Sequence, residues 1–300
     1  MTFKRTVGQE VAKRVLGRLL SDLNVPTVMF VGPEGVGKAT LAHEFVMALA
    51  DRYGLGKKVS ALACQDVEFL SPIPPVPGKP RPDDFYDTRS TISINRVRDV
   101  KRWVVKSPVA LPFKVVVIMN VENATPEAQN SMLKLLEEGW KRTLFLLITS
   151  NPHRVLPTIR SRALKLRFSP LKYGDFVKVV GKEDPVLYEV SGHSPGVALR
   201  ILSKVKDYGR VIKLWKEYVL GSKVATHELL NVLEDAGLIG LRLGYYALRE
   251  MYRDGAVDYG RFKRIYGAIR DVEEGYRRHL PTPFLHLLAA WTPDYSTVDV

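Results

Sequence analysis

The chain has 300 residues, longer than one ordinary domain, which predicts two domains or one large domain and a small one. Apolar residues make up 46% and charged residues 26%, which excludes wholesale disorder; the single cysteine, Cys64, excludes an intrachain disulfide and a cysteine-based zinc cluster. The 45 Lys and Arg against 32 Asp and Glu give a net charge of +13, which favours a polyanionic partner such as nucleic acid over an inert basic surface.

No membrane segment and no leader are expected. The sequence contains no apolar run of about 18 residues, the length that a transmembrane helix needs. Residues 1–5 lead into polar sequence without the apolar stretch of a signal peptide. A lone cysteine suits a reducing compartment, so we expect a cytoplasmic protein.

Short apolar runs without polar alternation predict buried parallel strands. They lie at residues 27–31, 114–121, 143–149 and, more weakly, 164–168. Helical patterns lie at residues 9–23, 40–50, 95–106 and 125–138. The last of these has Thr125 as N-cap, Pro126 in its first turn and Gly139 as its stop. Alternating strands and helices indicate a parallel sheet covered on both faces.

Two other regions complete the pattern. Residues 71–82 contain six prolines, which excludes a helix or a central strand there. After Pro170 only helical patterns remain, at residues 173–180, 185–191, 195–205, 208–220, 226–251, 259–279 and 283–291. We therefore predict an N-terminal α/β domain followed by helical material.

A phosphate-binding loop is predicted directly after the first strand. Residues 32–38 read G-x-x-x-x-G-K in the order strand, glycine-rich turn, helix. The loop formed by Gly32, Gly35 and Gly37, with the N-terminus of the next helix, would surround phosphates with backbone N–H groups, and Lys38 would reach their oxygens. The alternative is a glycine-rich turn that only caps a helix.

The metal-binding part of such a site is degraded. The hydroxyl that binds Mg²⁺ is expected where Ala39 stands, and Thr40 points about 100° away on a helix. The second strand should end in an acidic residue but ends in Met119, a soft thioether, and the uncharged Asn120. Glu122 could replace it only if the strand continued that far. The sequence thus predicts an ATPase scaffold that no longer hydrolyses ATP, with no metal site.

Several segments together resemble the clamp-loader branch of the AAA+ proteins, and within it the delta-prime family of bacterial DNA polymerase III. Residues 125–138 are similar to the family helix T-x-x-A-x-N-A-L-L-K-x-L-E-E almost residue for residue. The other matching segments are residues 7–10, 93–98, 156–163 and 192–199, the last with His193 as an apparent insertion. The resemblance spans roughly residues 3–202, and its combination of motifs is specific.

This resemblance implies an α/β P-loop AAA+ domain over residues 1–168, a small helical lid over 169–206 and an all-helical collar over 207–300. It implies partners: the clamp-loader ATPase (gamma/tau) and delta subunits, the sliding clamp indirectly, and primer–template DNA without sequence specificity, at the nucleoid and away from membranes. The family's four-cysteine zinc module is missing, so no zinc is expected. ATP binding is permitted by the loop but not required.

The resemblance also assigns residue roles. Arg162, in Ser161-Arg162-Ala163, matches the family's arginine finger, which enters a neighbouring subunit's ATP site and in related systems accelerates hydrolysis by about 10³–10⁵. The alternative is an ordinary surface arginine. Ser150 and Asn151 fall at the sensor-1 position, where turn chemistry explains them as well. The family's second sensor arginine is replaced near Gly196.

Three functions stay open on the sequence. The first is a non-hydrolysing subunit that donates Arg162 to a partner. The second is a working ATPase in which Thr40 and Glu122 take displaced roles. The third is a nucleotide-binding module without hydrolysis. The basic side chains of residues 96–106 suit DNA phosphates, but their spacing fits a solvated helix face better.

Overall fold

The computed structural model describes residues 3–21, 27–60, 64–72, 91–138, 142–277 and 287. Its chain divides into two compact units, Met1–Gly181 and Lys182–Val300. The finer division into domains at residues 168 and 206 stays a prediction. Most of the proline-rich stretch, the predicted stop at Gly139 and the predicted helix at 283–291, apart from Leu287, lie outside the described residues.

The first unit is built on a five-stranded sheet in the order β2-β3-β4-β1-β5, in which all pairs are parallel. The strands are β1 (Thr27–Val31), β2 (Val67–Leu70), β3 (Lys114–Ile118), β4 (Thr143–Thr149) and β5 (Leu164–Arg167). The predicted parallel sheet is confirmed. Strand β2 was not predicted, because four residues at a sheet edge give too short an apolar pattern.

The sheet has two functional edges, which are named here for the chain direction. At the carboxyl edge, β1, β3 and β4 end at Val31, Ile118 and Thr149. At the amino edge, β3 and β4 begin at Lys114 and Thr143, which are register partners. The loop that follows β1 lies at the carboxyl edge, and the loop that precedes β3 lies at the amino edge.

Seven helices are described in the first unit. They are α1 (Glu10–Ser21), α2 (Lys38–Asp51), α3 (Gly56–Ser60), α4 (Ile94–Val104), α5 (Pro126–Glu137), α6 (Pro157–Ser161) and α7 (Tyr173–Val180). Helix α5 begins as predicted, because Thr125 Oγ1 accepts a hydrogen bond from Ala128 N at 3.2 Å. One face of the sheet packs on α4 and α5 through a fully buried apolar cluster that includes Val97, Met132 and Leu147.

The described part of the second unit is helical. Its helices are α8 (Pro185–Val190), α9 (Pro195–Lys204), α10 (Tyr208–Leu220), α11 (Lys223–Ala236), α12 (Leu238–Arg253) and α13 (Tyr259–Arg277). The single helix predicted over residues 226–251 is wrong. Gly237 interrupts it with φ +53° and ψ −131°, a backbone conformation that residues other than glycine rarely adopt. Among the described residues, no helix is long and apolar enough to cross a membrane.

Trp215 organises the centre of this helical unit. It is fully buried, and its indole N–H donates to Gly240 O at 2.9 Å. A Cβ on Gly244 would lie 2.5 Å from the indole ring, so only glycine lets α12 approach α10 this closely. The helical prediction for this region therefore holds, and its packing depends on two glycines of α12.

Candidate functional site

The loop after β1 has the geometry of a phosphate-binding loop. Gly35 and Gly37 have φ of +73° and +96°, in the left-handed region that favours glycine. A Cβ on Gly32 would lie 2.2 Å from Phe168 O, so the loop packs directly against the end of β5. Helix α2 begins at Lys38 with no side chain capping its N-terminus, which leaves backbone N–H groups for an anion. The loop therefore fits a phosphate group.

Lys38 is the buried cation of this site, and its side chain is 1% exposed. Its ammonium donates to Gly32 O at 2.6 Å, to Pro33 O at 2.5 Å and to Ser150 Oγ at 3.1 Å. Burial lowers the pKa of Lys38 to about 8, against the opposing effects of Glu122 and Glu34. Three acceptors use all three N–H donors of the ammonium, so a phosphate would have to replace some of them.

Glu122 is brought into this site, although it does not lie on a strand. Strand β3 ends at Ile118, and Asn120 takes a left-handed conformation with φ +51° before a 3₁₀ turn, Val121–Asn123. This turn buries the Glu122 carboxylate, whose Oε1 accepts from Ser150 N at 2.8 Å. Within the described residues, its Oε2 is buried without a hydrogen-bond partner. The interpretation that gave Glu122 little weight relied on strand length and missed the turn.

The positions expected to hold Mg²⁺ carry no suitable ligand. Ala39 and Met119 are both buried and apolar, and Met119 N is bonded to Leu70 O at 2.8 Å. Mg²⁺ prefers hard oxygen ligands in an octahedral arrangement. Among the described residues, no group of three or more His, Cys, Asp or Glu side chains could hold a metal ion. The residues therefore fit a phosphate better than a phosphate with its metal, and the absence of zinc stays a prediction.

Gln9 joins the segment before α1 to the phosphate loop. Its Nε2 donates to Val36 O at 3.2 Å and to Ser169 O at 2.7 Å, while its Oε1 accepts from Ser169 N at 3.2 Å. Its φ of +57° is unusual for a residue other than glycine. Residues 7–10 were singled out from the sequence only as one of the segments that resemble the family, and the bonds of Gln9 were not predicted.

Glu44 of α2 anchors the same segment. Its buried carboxylate accepts from Arg5 N at 2.6 Å, from Thr6 N at 3.0 Å and from Thr6 Oγ1 at 2.7 Å. Sequence reasoning missed it, because these contacts join residues 38 and 39 positions apart. Together Gln9 and Glu44 fix one wall of the phosphate loop.

Ser150 and Asn151 end β4 at the carboxyl edge. Ser150 accepts from Lys38 and donates its backbone N–H to Glu122, so it lies between the two charged groups. Asn151 N donates to Thr149 Oγ1 at 3.1 Å, which is the turn chemistry expected at this position. Of the two sensor-1 candidates, the structure thus joins Ser150 to the phosphate loop by its side chain.

Arg162 lies outside this group of side chains. It follows α6, its side chain is 42% exposed, and its guanidinium pairs with Glu137 of α5 at 2.8 Å. It also donates to Thr158 O at 3.0 Å. Both contacts are with α5 and α6 rather than with the phosphate loop. The guanidinium is thus held at the surface by a partner that is itself 43% exposed.

The basic residues of α4 are largely engaged within the chain. Arg96 donates to Pro72 O at 3.1 Å and to Ser71 O. Lys101 pairs with Glu138, and Arg102 pairs with Asp99. These contacts favour the interpretation of a structural and solvated helix face over a dedicated DNA contact.

The family model described as DNA polymerase III, delta subunit matches residues 8–172, more than half of the chain. The chain belongs to this family. It is a clamp-loader-type AAA+ protein of DNA replication, as the motifs of its first unit predicted.

Its relatives include archaeal replication proteins. The replication factor C small subunit of Aeropyrum pernix is 26% identical over 269 residues, which cover 85% of this chain and 73% of that protein. The replication factor C small subunit of Staphylothermus marinus is 24% identical over 274 residues, covering 86% and 74%. The bacterial delta-prime family is therefore only one of the clamp-loader branches that the chain resembles.

The fold has a counterpart among solved structures. The gamma subunit-related protein of DNA polymerase III from Thermotoga maritima superposes with a TM-score of 0.51 at 17% identity. The match covers 94% of this chain and 96% of that one. At this identity the likeness is one of fold, and it confirms an AAA+ sheet followed by a helical region.

Proposed function

We propose that this chain is a non-hydrolysing, stator-like subunit of a sliding-clamp loader, the role of a delta-prime subunit, and that it donates Arg162 to the ATP site of a neighbouring ATPase subunit. The observation that carries the proposal is a contrast. The chain's own site has apolar Ala39 and Met119 where metal ligands belong, while the Arg162 guanidinium is exposed. One site is poorly equipped to hydrolyse ATP, and the other group is placed to act outside its own chain.

The chemistry of Arg162 suits this role. Its guanidinium is planar and always charged, and it forms paired hydrogen bonds with carboxylate and phosphate alike. In the free chain the Glu137 carboxylate occupies it. Because both side chains are partly exposed, this pair contributes little to stability and exchanges readily for a phosphate of a partner's ATP.

The proposed partners follow from this role. They are the ATPase (gamma/tau) and delta subunits of a loader, or their counterparts in a loader of the replication factor C type, with the sliding clamp reached indirectly. The region after residue 206 would form the collar that joins the subunits. The net charge of +13 supports a non-specific contact with primer–template DNA, and we expect the assembly in the cytoplasm at the nucleoid.

The test is ATP turnover of the loader reconstituted with its motor subunit, DNA and clamp. Arg162→Ala should reduce hydrolysis at the adjoining site by about 10³-fold or more. Arg162→Lys should not restore it, since an ammonium lacks the planar fork of a guanidinium. Arg154→Ala, which removes another exposed arginine of the same region, serves as the matched control.

Assembly must be intact in each variant, as judged by sizing. Unchanged turnover with Arg162→Ala in an intact assembly would contradict the finger role. An equal loss with Arg154→Ala would indicate a general effect of surface charge instead.

A second function is favoured by one observation: Oε2 of Glu122, beside the phosphate loop, is buried and has no hydrogen-bond partner among the residues that the structure describes. In this alternative the chain binds ATP and hydrolyses it slowly, with Glu122 as the acidic group. Turnover by the purified chain, abolished both by Lys38→Met and by Glu122→Gln, would support it. Binding of ATP without turnover would leave a nucleotide-binding module that does not hydrolyse.

A further inference from the structure

A cavity of about 390 Å³ lies at the amino edge of the sheet, at the opposite end of the strands from the phosphate loop. Its walls are the C-terminal turn of α4, the loop over residues 105–112 and the first residues of β3 and β4. This volume falls in the range of about 300–1,000 Å³ that is usual for small-molecule sites. The cavity is thus large enough for a ligand and separate from the site already described.

Among the described residues, three cationic side chains line this cavity, Lys106, Lys114 and Arg142, and no acidic side chain does. Among the described residues, none of the three forms a salt bridge. Like charges that share one cavity repel each other unless an anion lies between them. The surplus of positive charge is therefore local, and it does not depend on the net charge of the chain.

Lys114 is fixed in place, with its side chain 3% exposed. Its ammonium donates to Trp103 O at 2.5 Å and lies 4.1 Å above the Trp103 ring. Burial lowers the pKa of Lys114; the carboxylate of Asp66 acts to raise it, and the neighbouring Lys106 lowers it further. Because this side chain is already held rigidly, it loses little further conformational entropy when an anion binds.

The neighbouring carboxylates are already engaged elsewhere. Asp66 is fully buried and accepts from the backbone N–H groups of Val109, Ala110 and Leu111 at 2.5–3.0 Å. Glu138 pairs with Lys101. Neither carboxylate is among the described residues that line the cavity, although the charge of Asp66 acts on Lys114 from behind it.

Arg142 holds an uncommon conformation at the rim. Its φ is +66°, in the left-handed region, which carries a cost for a residue other than glycine. Its carbonyl accepts from Lys114 N at 2.8 Å, so the same turn ties Arg142 to the first residue of β3. Its guanidinium is free of ion pairs among the described residues, and the residue is exposed.

We propose that this cavity binds a small phosphorylated anion, of the class of inorganic pyrophosphate or a nucleoside diphosphate. Arg142 and Lys106 contact the phosphate oxygens, Arg142 through its planar fork, and Lys114 supplies a buried fixed charge. Ser107 adds a hydroxyl to the lining. The site is independent of the phosphate loop and of the proposed role of Arg162.

The test is calorimetric titration of the full chain with inorganic pyrophosphate at low ionic strength. The double variant Lys106→Gln/Arg142→Gln should weaken binding at this site by about 10²-fold, since it removes two charge-assisted contacts. The control, Arg98→Gln/Arg102→Gln, removes the same charge from exposed positions on α4 that do not line the cavity. Lys106→Arg keeps both charges and the guanidinium of Arg142, and should retain binding.

Each outcome decides the proposal. Selective loss in the cavity variant, with its unfolding temperature and that of the control unchanged, supports it. The absence of saturable binding to the wild-type chain overturns it. An equal loss in both double variants also overturns it, because general surface charge would then explain the binding. Binding that is abolished by Lys38→Met and untouched by the cavity variant assigns the anion to the phosphate loop and overturns it as well.

Discussion

The two edges of the sheet satisfy their buried charges in opposite ways. At the carboxyl edge the cation is satisfied, because Lys38 has three acceptors, while one oxygen of Glu122 has no partner among the described residues. At the amino edge the anion is satisfied, because Asp66 accepts from three backbone N–H groups, while Lys106 and Arg142 pair with no carboxylate in the described part of the chain. Among the described residues, the carboxyl edge therefore has an acceptor without a partner, and the amino edge has cations without a carboxylate.

This difference shows how one sheet can serve two chemistries. A spare acceptor beside a phosphate loop attracts a cation or a proton donor, whereas spare cations around a cavity attract an anion. At the carboxyl edge the ammonium of Lys38 is hydrogen-bonded within the chain, and a phosphate has to compete with those bonds.

The largest effect is expected at the satisfied anion. Asp66→Asn should lower the free energy of unfolding by about 3–5 kcal/mol, because an amide cannot accept from all the N–H groups that now converge on the carboxylate. Urea denaturation measures the loss. Asp99→Asn removes an exposed carboxylate of α4 and should cost less than about 1 kcal/mol. A mild effect at Asp66 would mean that the amino edge is not anchored by this residue.

The next largest effect is a pH dependence of the free energy of unfolding, which arises from Lys38. Because its pKa falls from an ordinary 10.5 to about 8, the unfolded chain holds a proton between these values that the folded chain has lost. Stability of the wild type relative to Lys38→Met should therefore rise with pH from 8 to 10.5, by about 3 kcal/mol in total. Denaturation curves of both proteins across this range test it. A difference that stays flat would show that Lys38 is not desolvated.

A smaller effect connects Glu122 to the same titration. The Glu122 charge favours the protonated form of Lys38, so Glu122→Gln should move the pKa of Lys38 below 8 and the rise in stability to lower pH. The loss of stability at pH 7 should be about 1 kcal/mol, since glutamine can still accept from Ser150 N. Glu34→Gln is the control and should shift the pKa less. If the pH midpoint of the rise in stability were unchanged in Glu122→Gln, the charge of Glu122 would not act on Lys38.

How far the sequence predicts this molecule depends on the distance between the residues that carry each signal. The phosphate loop, the cap at Thr125 and four of the five strands were predictable, because each depends on neighbours within a few positions. The family resemblance added Arg162, which the exposure of its guanidinium supports but does not test.

The missed features depend on distant contacts or on unusual backbone. Glu122 reaches the site because Asn120 turns the chain back with φ +51°, a conformation that no periodic pattern predicts. Asp66 bonds residues 43–45 positions away, and the cavity exists only where the starts of two strands meet the end of α4. Such sites need a fold before they can be seen.

The smallest effect is expected for the exposed ion pair of Arg162 with Glu137. This pair lies outside the buried groups of both edges, so it shows how little an exposed pair contributes to stability by comparison. Glu137→Gln should change the free energy of unfolding by less than about 1 kcal/mol, because both side chains are about two-fifths exposed and solvent screens the pair. In the reconstituted loader the same variant should leave turnover intact or increase it, since the guanidinium no longer has to leave a carboxylate. Paired denaturation and turnover measurements test both statements. A fall in turnover as large as that of Arg162→Ala would mean that Glu137 positions the arginine for the partner's ATP site. The ion pair would then be needed for hydrolysis and would not be only a contact of the free chain.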